Sequence, residues 1–161
     1  MMKNALVILA GGKGKRFGQK IPKQFLKIGN TNFLNYFFSN LDLSNFDIIN
    51  ISIDKKYQKT YLNHKAVSEK IKITYSKPGL TRQISSFNAL KNLKKFKIKN
   101  VLIHDAARPL CSNKLIKKII SKLDKNTNAI PYVEYNDRQL IKKSKLETKA
   151  INVQTPQGFN Y

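Results

Sequence analysis

The chain has 161 residues, 31 Lys+Arg against 9 Asp+Glu, a net charge of +22 and 41% hydrophobic residues. That length fits one globular domain, and the composition excludes a disordered or low-complexity chain. The first apolar run, Ala5 to Ala10, is too short to cross a bilayer and is followed by Gly-Gly-Lys, so neither a membrane span nor an export signal is read and a cytoplasmic location is expected.

In chain order, Asn4 to Ala10 reads as a buried strand running into a glycine loop, Phe33 to Leu41 as a helix and Asp47 to Ile53 as a second strand. Asp54 can cap a helix through about Lys65, with Tyr57, Tyr61 and Leu62 on one face. Ile71 to Tyr75 is a short strand and Ser76 to Arg82 a loop. Gln83 to Lys95 is a helix whose apolar stripe is expected to be Ile84, Phe87, Leu90 and Leu93. Asn100 to His104 is another buried strand, Ser112 caps a helix to about Leu123, and Ala129 to Val133 is a further strand. Arg138 to Lys143 and Ala150 to Val153 read as short extended pieces. This alternation predicts an α/β fold with an open, mostly parallel sheet, Rossmann-like, covered by helices on both faces. Ligands of such sheets bind beyond the carboxyl ends of the strands.

The charge raises the question of a nucleic-acid partner, since strongly basic domains often bind phosphate backbones. The lysines are scattered through every expected element, so the charge reads as a lysine-rich background and nucleic-acid binding is disfavoured. Four of the cations are arginines, Arg16, Arg82, Arg108 and Arg138. Where Lys is the default, a retained Arg points to a need for a planar, bidentate fork.

Beyond the first strand stand Ala10, Gly11, Gly12, Lys13 and Gly14, then Arg16 and the segment Pro22-Lys23-Gln24-Phe25. Small residues let backbone N–H groups approach an anion and the cations behind them neutralise it, so the segment reads as a nucleotide phosphate cradle. Neither the Walker pattern nor G-x-G-x-x-G fits, because no Gly-Lys-Ser/Thr closes the loop and Phe17 stands where the third glycine belongs. A second strand ends in His104-Asp105-Ala106-Ala107-Arg108-Pro109. A carboxylate there suits Mg²⁺, which prefers hard oxygens and shares substrate phosphates. His104 is read as structural. Cys111, the single cysteine, is read as a packing residue, because no internal disulfide can form and no base partner is evident.

Together with Thr81-Arg82-Gln83-Ile84-Ser85-Ser86 and Gln154-Thr155-Pro156-Gln157-Gly158-Phe159, these motifs resemble in order and spacing the 2-C-methyl-D-erythritol 4-phosphate cytidylyltransferases. The ribitol-5-phosphate cytidylyltransferases share the same frame. The resemblance implies a nucleotidyltransferase fold and a reaction of CTP with a polyol phosphate that yields a CDP-polyol and pyrophosphate. It implies that Arg16 and Lys23 stabilise charge on the α-phosphate and that Ala10, Gly11, Gly12, Gly14, Gly79, Arg82 and Ser85 hold the nucleotide. It further implies that Asp105 binds Mg²⁺, that Arg108 and Thr155 contact the polyol phosphate, and that members are homodimers through an arm between the fifth strand and the Gln-Thr-Pro-Gln motif. The chain is read as a single domain over residues 1–161 that ends before the family's last elements. A non-catalytic CTP-binding fragment is therefore the alternative to an active enzyme.

Overall fold

The computed structural model describes residues 4–14, 18, 21–63, 71–123, 127–134 and 151–161. Strand β1 is Asn4–Leu9, followed by a short 3-10 turn at Lys23–Phe25 and a small antiparallel hairpin, β2 (Lys27–Ile28) and β3 (Thr31–Asn32). Then come α1 (Phe33–Asn40), β4 (Ile48–Ser52), α2 (Lys55–Tyr61), β5 (Lys72–Ser76), α3 (Arg82–Leu93), β6 (Asn100–Asp105) and α4 (Asn113–Leu123). The remaining strands are β7 (Tyr132–Glu134), β8 (Ile151–Val153) and β9 (Gln157–Asn160).

The main sheet has the order β5-β4-β1-β6-β9. β1, β4, β5 and β6 are parallel, and β9 adds antiparallel to β6. Buried β-branched strands of this kind are covered on both faces. Side-chain alternation divides them: Leu6, Ile8, Ile49, Ile51 and Leu102 pack with α1 and α4, whereas Ala5, Val7, Ile48, Val101 and Ile103 pack with α3. Buried asparagines are satisfied across strands, Asn100 Nδ2 donating to Asn4 Oδ1 and Asn160 Nδ2 to Asn100 Oδ1.

The caps follow side-chain chemistry. Asn32 accepts from Asn35 N, Asp54 from Lys56 N, Thr81 from Ile84 N and Ser112 from Leu115 N, each meeting an orphan donor of a first helical turn. Asp54 caps as expected, but the helix it opens closes at Tyr61, and residues 64–70 lie outside the described residues.

Two expectations need correction. The buried face of α3 is Ser85, Ala89 and Leu93, while Ile84 and Phe87 are 45% and 63% exposed. Small side chains let this helix lie close to the sheet, and Ile84 folds over Gly79 instead, where an added Cβ would stand 2.2 Å from Ile84 Cγ2. The segment Ala129 to Val133 is not one strand of the main sheet. Ala129 makes a single bridge to Gly158, Pro131 has no N–H with which to continue the ladder, and Tyr132–Glu134 pairs with β8 in a separate ribbon. The expected extended piece Arg138 to Lys143 lies outside the described residues.

Candidate active site

The parallel strands end together at Leu9, Ser52, Ser76 and Asp105. After β1 the chain builds outward to β4 and β5, then returns to β6 on the other side of β1, so the β1/β6 boundary is the topological switch point. The glycine loop leaves one side of that boundary and the Asp105–Arg108 turn the other. Because β9 runs antiparallel, with Ile103 opposite Gln157, its leading residues Gln154, Thr155 and Pro156 arrive at the same edge. The four motifs therefore converge although they are far apart in sequence.

In the glycine loop, Ala10 is buried and its N–H donates to Ser52 O (2.9 Å). Gly11 lies so close to the β5 loop that an added Cβ would stand 2.1 Å from Pro78 Cβ. Gly14 has φ +64°, a left-handed conformation that glycine adopts without strain. Lys23 is exposed at the start of its turn, and a Cβ on Gly14 would be 3.4 Å from its backbone nitrogen. Arg16 lies outside the described residues. In the β5 loop, Gly79 N–H donates to Ser85 Oγ (3.0 Å), and that hydroxyl donates to Thr81 O (2.9 Å), so the start of α3 fixes the loop.

Asp105 is the electrostatic centre of the opposite wall. Arg82 Nε donates to Asp105 Oδ1 at 3.1 Å, and Arg108 Nε stands 3.6 Å from Oδ2. Each guanidinium also reaches the β9 motif, Arg82 bonding Gln157 Oε1 (3.4 Å) and Arg108 bonding Gln154 Oε1. Beneath them runs a hydrogen-bond chain with one consistent direction. Asp105 N–H donates to Thr155 Oγ1 (3.4 Å), the Thr155 hydroxyl meets His104 Nδ1 (3.2 Å), and His104 Nε2 meets Arg108 O (3.0 Å). The Arg108 carbonyl can only accept, so Nε2 carries the hydrogen and Nδ1 accepts from Thr155. Burial holds the His104 pKa down to about 4, so the ring is neutral near pH 7. Cys111 is half-buried and burial pushes its thiol up to about 11, which fits a packing role.

The structure thus brings together Arg82, Asp105, Arg108 and Thr155 on one wall, and Ala10, Gly11, Gly79 and Ser85 on the other, with Gly12 and Gly14 continuing the glycine loop. Three contributors escaped the sequence reading: the tying side chain of Gln24, whose Nε2 donates to the carbonyls of Ala10 (2.8 Å) and Gly12 (2.9 Å), and the arginine partners Gln154 and Gln157. All three sit in noticed motifs, but nothing in the motif spacing says which way their amides turn.

Residues 4–161 match the family described as IspD: 2-C-methyl-D-erythritol 4-phosphate cytidylyltransferase. The chain is 36% identical over 166 residues to the bifunctional enzyme IspD/IspF of Pelagibacter ubique, an alignment covering 99% of this chain and 44% of that protein. It is 34% identical to the 2-C-methyl-D-erythritol 4-phosphate cytidylyltransferase of Thermotoga neapolitana, covering 98% of this chain and 73% of that one. Among solved structures it is similar to the 4-diphosphocytidyl-2C-methyl-D-erythritol synthase of Anaerococcus prevotii, with a TM-score of 0.79, 25% identity, and coverage of 98% of this chain and 69% of that one. The bifunctional IspDF of Campylobacter jejuni matches with a TM-score of 0.74 and 28% identity, over 98% of this chain and 41% of that chain. The chain belongs to the 2-C-methyl-D-erythritol 4-phosphate cytidylyltransferase family, whose members are nucleotidyltransferases.

Proposed function

We propose that this chain transfers a cytidylyl group from CTP to 2-C-methyl-D-erythritol 4-phosphate, releasing pyrophosphate. The observation that carries the proposal is the convergence of the glycine loop, the Gly79–Ser85 loop and the Asp105–Arg108–Thr155 wall at one switch point. A phosphate oxygen of the polyol substrate attacks the α-phosphorus of CTP, the new P–O bond forms, and the bond to the β-phosphate oxygen breaks. Such in-line transfer is catalysed by positioning and charge stabilisation and needs no nucleophilic side chain. Ala10, Gly11, Gly12 and Gly14 cradle the phosphates, while Gly79, Arg82 and Ser85 hold the nucleotide. Arg16 and Lys23 stabilise the charge that builds on the transferred group and its leaving pyrophosphate. Arg108 orients the polyol phosphate, and Thr155, whose one hydroxyl hydrogen goes to His104 Nδ1, supports that wall from beneath.

A divalent cation, Mg²⁺ by the hardness of its donor, fits at Asp105. No group of three or more His, Cys, Asp or Glu is found among the described residues, so a cation there would complete its shell with phosphate oxygens and water, the usual Mg²⁺ arrangement. When bound it neutralises phosphate charge. Asp105 holds Arg82 and Arg108 in its absence, so both guanidiniums are kept at the wall where anionic substrates arrive. The expected homodimer has a structural feature behind it as well. Tyr132, Val153 and Ile151 are exposed on one face of the β7/β8 ribbon, an apolar surface suited to a second copy. Among the described residues, no helix is long and apolar enough to cross a membrane.

The test is a pyrophosphate-release assay with CTP and Mg²⁺, run in parallel with 2-C-methyl-D-erythritol 4-phosphate and ribitol 5-phosphate. Turnover preferring the erythritol phosphate is expected. Preference for ribitol phosphate would correct the substrate, and CTP binding without turnover would reduce the chain to a nucleotide-binding fragment. Lys23→Ala and Arg16→Ala should each lower kcat by on the order of 10²-fold, the usual loss when one transition-state charge stabiliser is removed. Unchanged kcat in either variant would remove that residue from the mechanism.

A further inference from the structure

Gln24 is 4% exposed although it sits beside the exposed Lys23 in a three-residue turn. Its amide is turned under the glycine loop, where Nε2 donates to Ala10 O (2.8 Å) and Gly12 O (2.9 Å). One sp² nitrogen with two hydrogens serves two carbonyls. A glutamate has no hydrogen to give when ionised, and an aliphatic side chain has none at all.

The consequence follows from peptide geometry. In a planar trans peptide the C=O and the following N–H point to opposite sides. Holding the Ala10 and Gly12 carbonyls on the buried side turns the N–H groups of Gly11 and Lys13 to the open side. Gly12 and Lys13 are exposed there, and among the described residues no backbone acceptor takes the N–H of Gly11, Gly12, Lys13 or Gly14. Glycine-rich backbone is free to flip its peptides, so without a tether the loop would also sample arrangements that present carbonyl oxygens to an anion.

We infer that Gln24 is a positioning residue for the triphosphate: it aims the Gly11 and Lys13 amides at the phosphate oxygens and locks the adjacent Lys23 backbone to the same loop. This deepens the reading of the loop as a CTP cradle and rests on it. Gln24 touches neither substrate nor metal. It acts through the two peptides it holds.

The test uses the full chain with the variants Gln24→Met and Gln24→Glu. In Q24M, kcat/KM for CTP should fall by about 30- to 100-fold, the range of losing one preorganised anion donor or somewhat less. Q24E should be as impaired at high pH and should recover part of the loss as the pH falls, because a protonated carboxyl regains one O–H donor for one carbonyl. Wild type and Q24M, measured over the same pH range, correct for every other titrating group. A role confined to packing would lower the melting temperature of both variants and leave the Q24E profile parallel to that of Q24M. That parallel result overturns the inference. Should Q24M not fold, the Q24E profile against wild type decides.

A second readout is independent of turnover. Titration with inorganic triphosphate, followed by amide resonances, should move Gly11 and Lys13 most in the wild type and bind about tenfold more weakly to Q24M or to ionised Q24E. If the wild type releases no pyrophosphate with either polyol phosphate but binds triphosphate through those two amides, the cytidylyltransferase reading falls and the role of Gln24 stands. Wild-type triphosphate affinity in the variants overturns that role whatever the turnover.

Discussion

At His104, a single buried ring ties two motifs together. Its Nε2–H donates to Arg108 O and its Nδ1 accepts from Thr155, so the neutral ring is satisfied at both nitrogens. Burial is the main cause of its lowered pKa. Between the unfolded value of 6.5 and the folded value of about 4, the unfolded chain binds the proton and the folded chain does not. The stabilisation is therefore complete above pH 6.5 and is lost as the pH falls toward 4, amounting to about 3 kcal/mol at the pKa spacing given. Urea midpoints of wild type should fall more steeply across this window than those of His104→Gln, with carboxylates contributing equally to both. Equal slopes would show that the ring is not held neutral. A structural role for His104 was readable from its place at a strand end. Its partner was not, because Thr155 is 51 residues away and only the antiparallel return of β9 brings it there. The amide of Gln24 was hidden for a related reason: residue type shows that it can donate, but only the fold shows to what.

The elements were legible where a local period or cap decides them. Buried runs marked β1, β4 and β6, and Asp54 and Ser112 each cap the helix expected of them, whereas Thr81, read as loop, caps α3 as well. Spacing was half right on α3: Leu93 and Leu90 of the expected stripe pack toward the sheet, but Ile84 and Phe87 do not. The helix instead turns Ser85 and Ala89 inward, and Ile84 goes to covering Gly79. Close approach of backbone, which small residues permit, outranked side-chain size. The same logic governs the glycine loop and the β5 loop. They touch at Gly11 and Pro78, over the end of the strand between them, and Gly11 is not among the positive-φ glycines, so its need is for space rather than for conformation. Gly11→Ala should destabilise the protein by about 1–3 kcal/mol, the range for overpacking a closed contact. It should also weaken CTP binding by forcing the loops apart. Adding Pro78→Gly removes the colliding Cβ, so the double variant should regain much of the lost stability, a coupling that independent sites do not show. Additive losses in melting or urea experiments would mean that the contact between the loops is not what Gly11 serves.

For the whole molecule, the charge of +22 has two consequences of opposite sign. Ion pairs join Arg82 and Arg108 to Asp105 and Lys117 to Asp42. Because 9 acidic residues cannot offset 31 cations, repulsion among the cations dominates, and self-repulsion destabilises a compact state. The charge was legible at once, but its distribution over every element meant that it could not locate the site. The candidate site follows from strand order, which places the glycine loop and Asp105 on either side of one boundary. The Lys/Arg groups gathered at that boundary attract phosphate, while the remainder push the fold apart. Raising the salt from roughly 0.01 M to 0.15 M shortens the screening length from about 30 Å to about 8 Å. Folding stability should then rise by at least about 1 kcal/mol, the scale of one exposed ion pair, because repulsions outnumber attractions. Over the same range the affinity for CTP should fall, because the cations at the cradle are screened from the triphosphate. Urea unfolding and calorimetric CTP titration on one preparation measure both. Stability that falls with salt would mean that attractions among the charges outweigh their repulsions, and an affinity indifferent to salt would mean that the triphosphate does not bind where the cations converge.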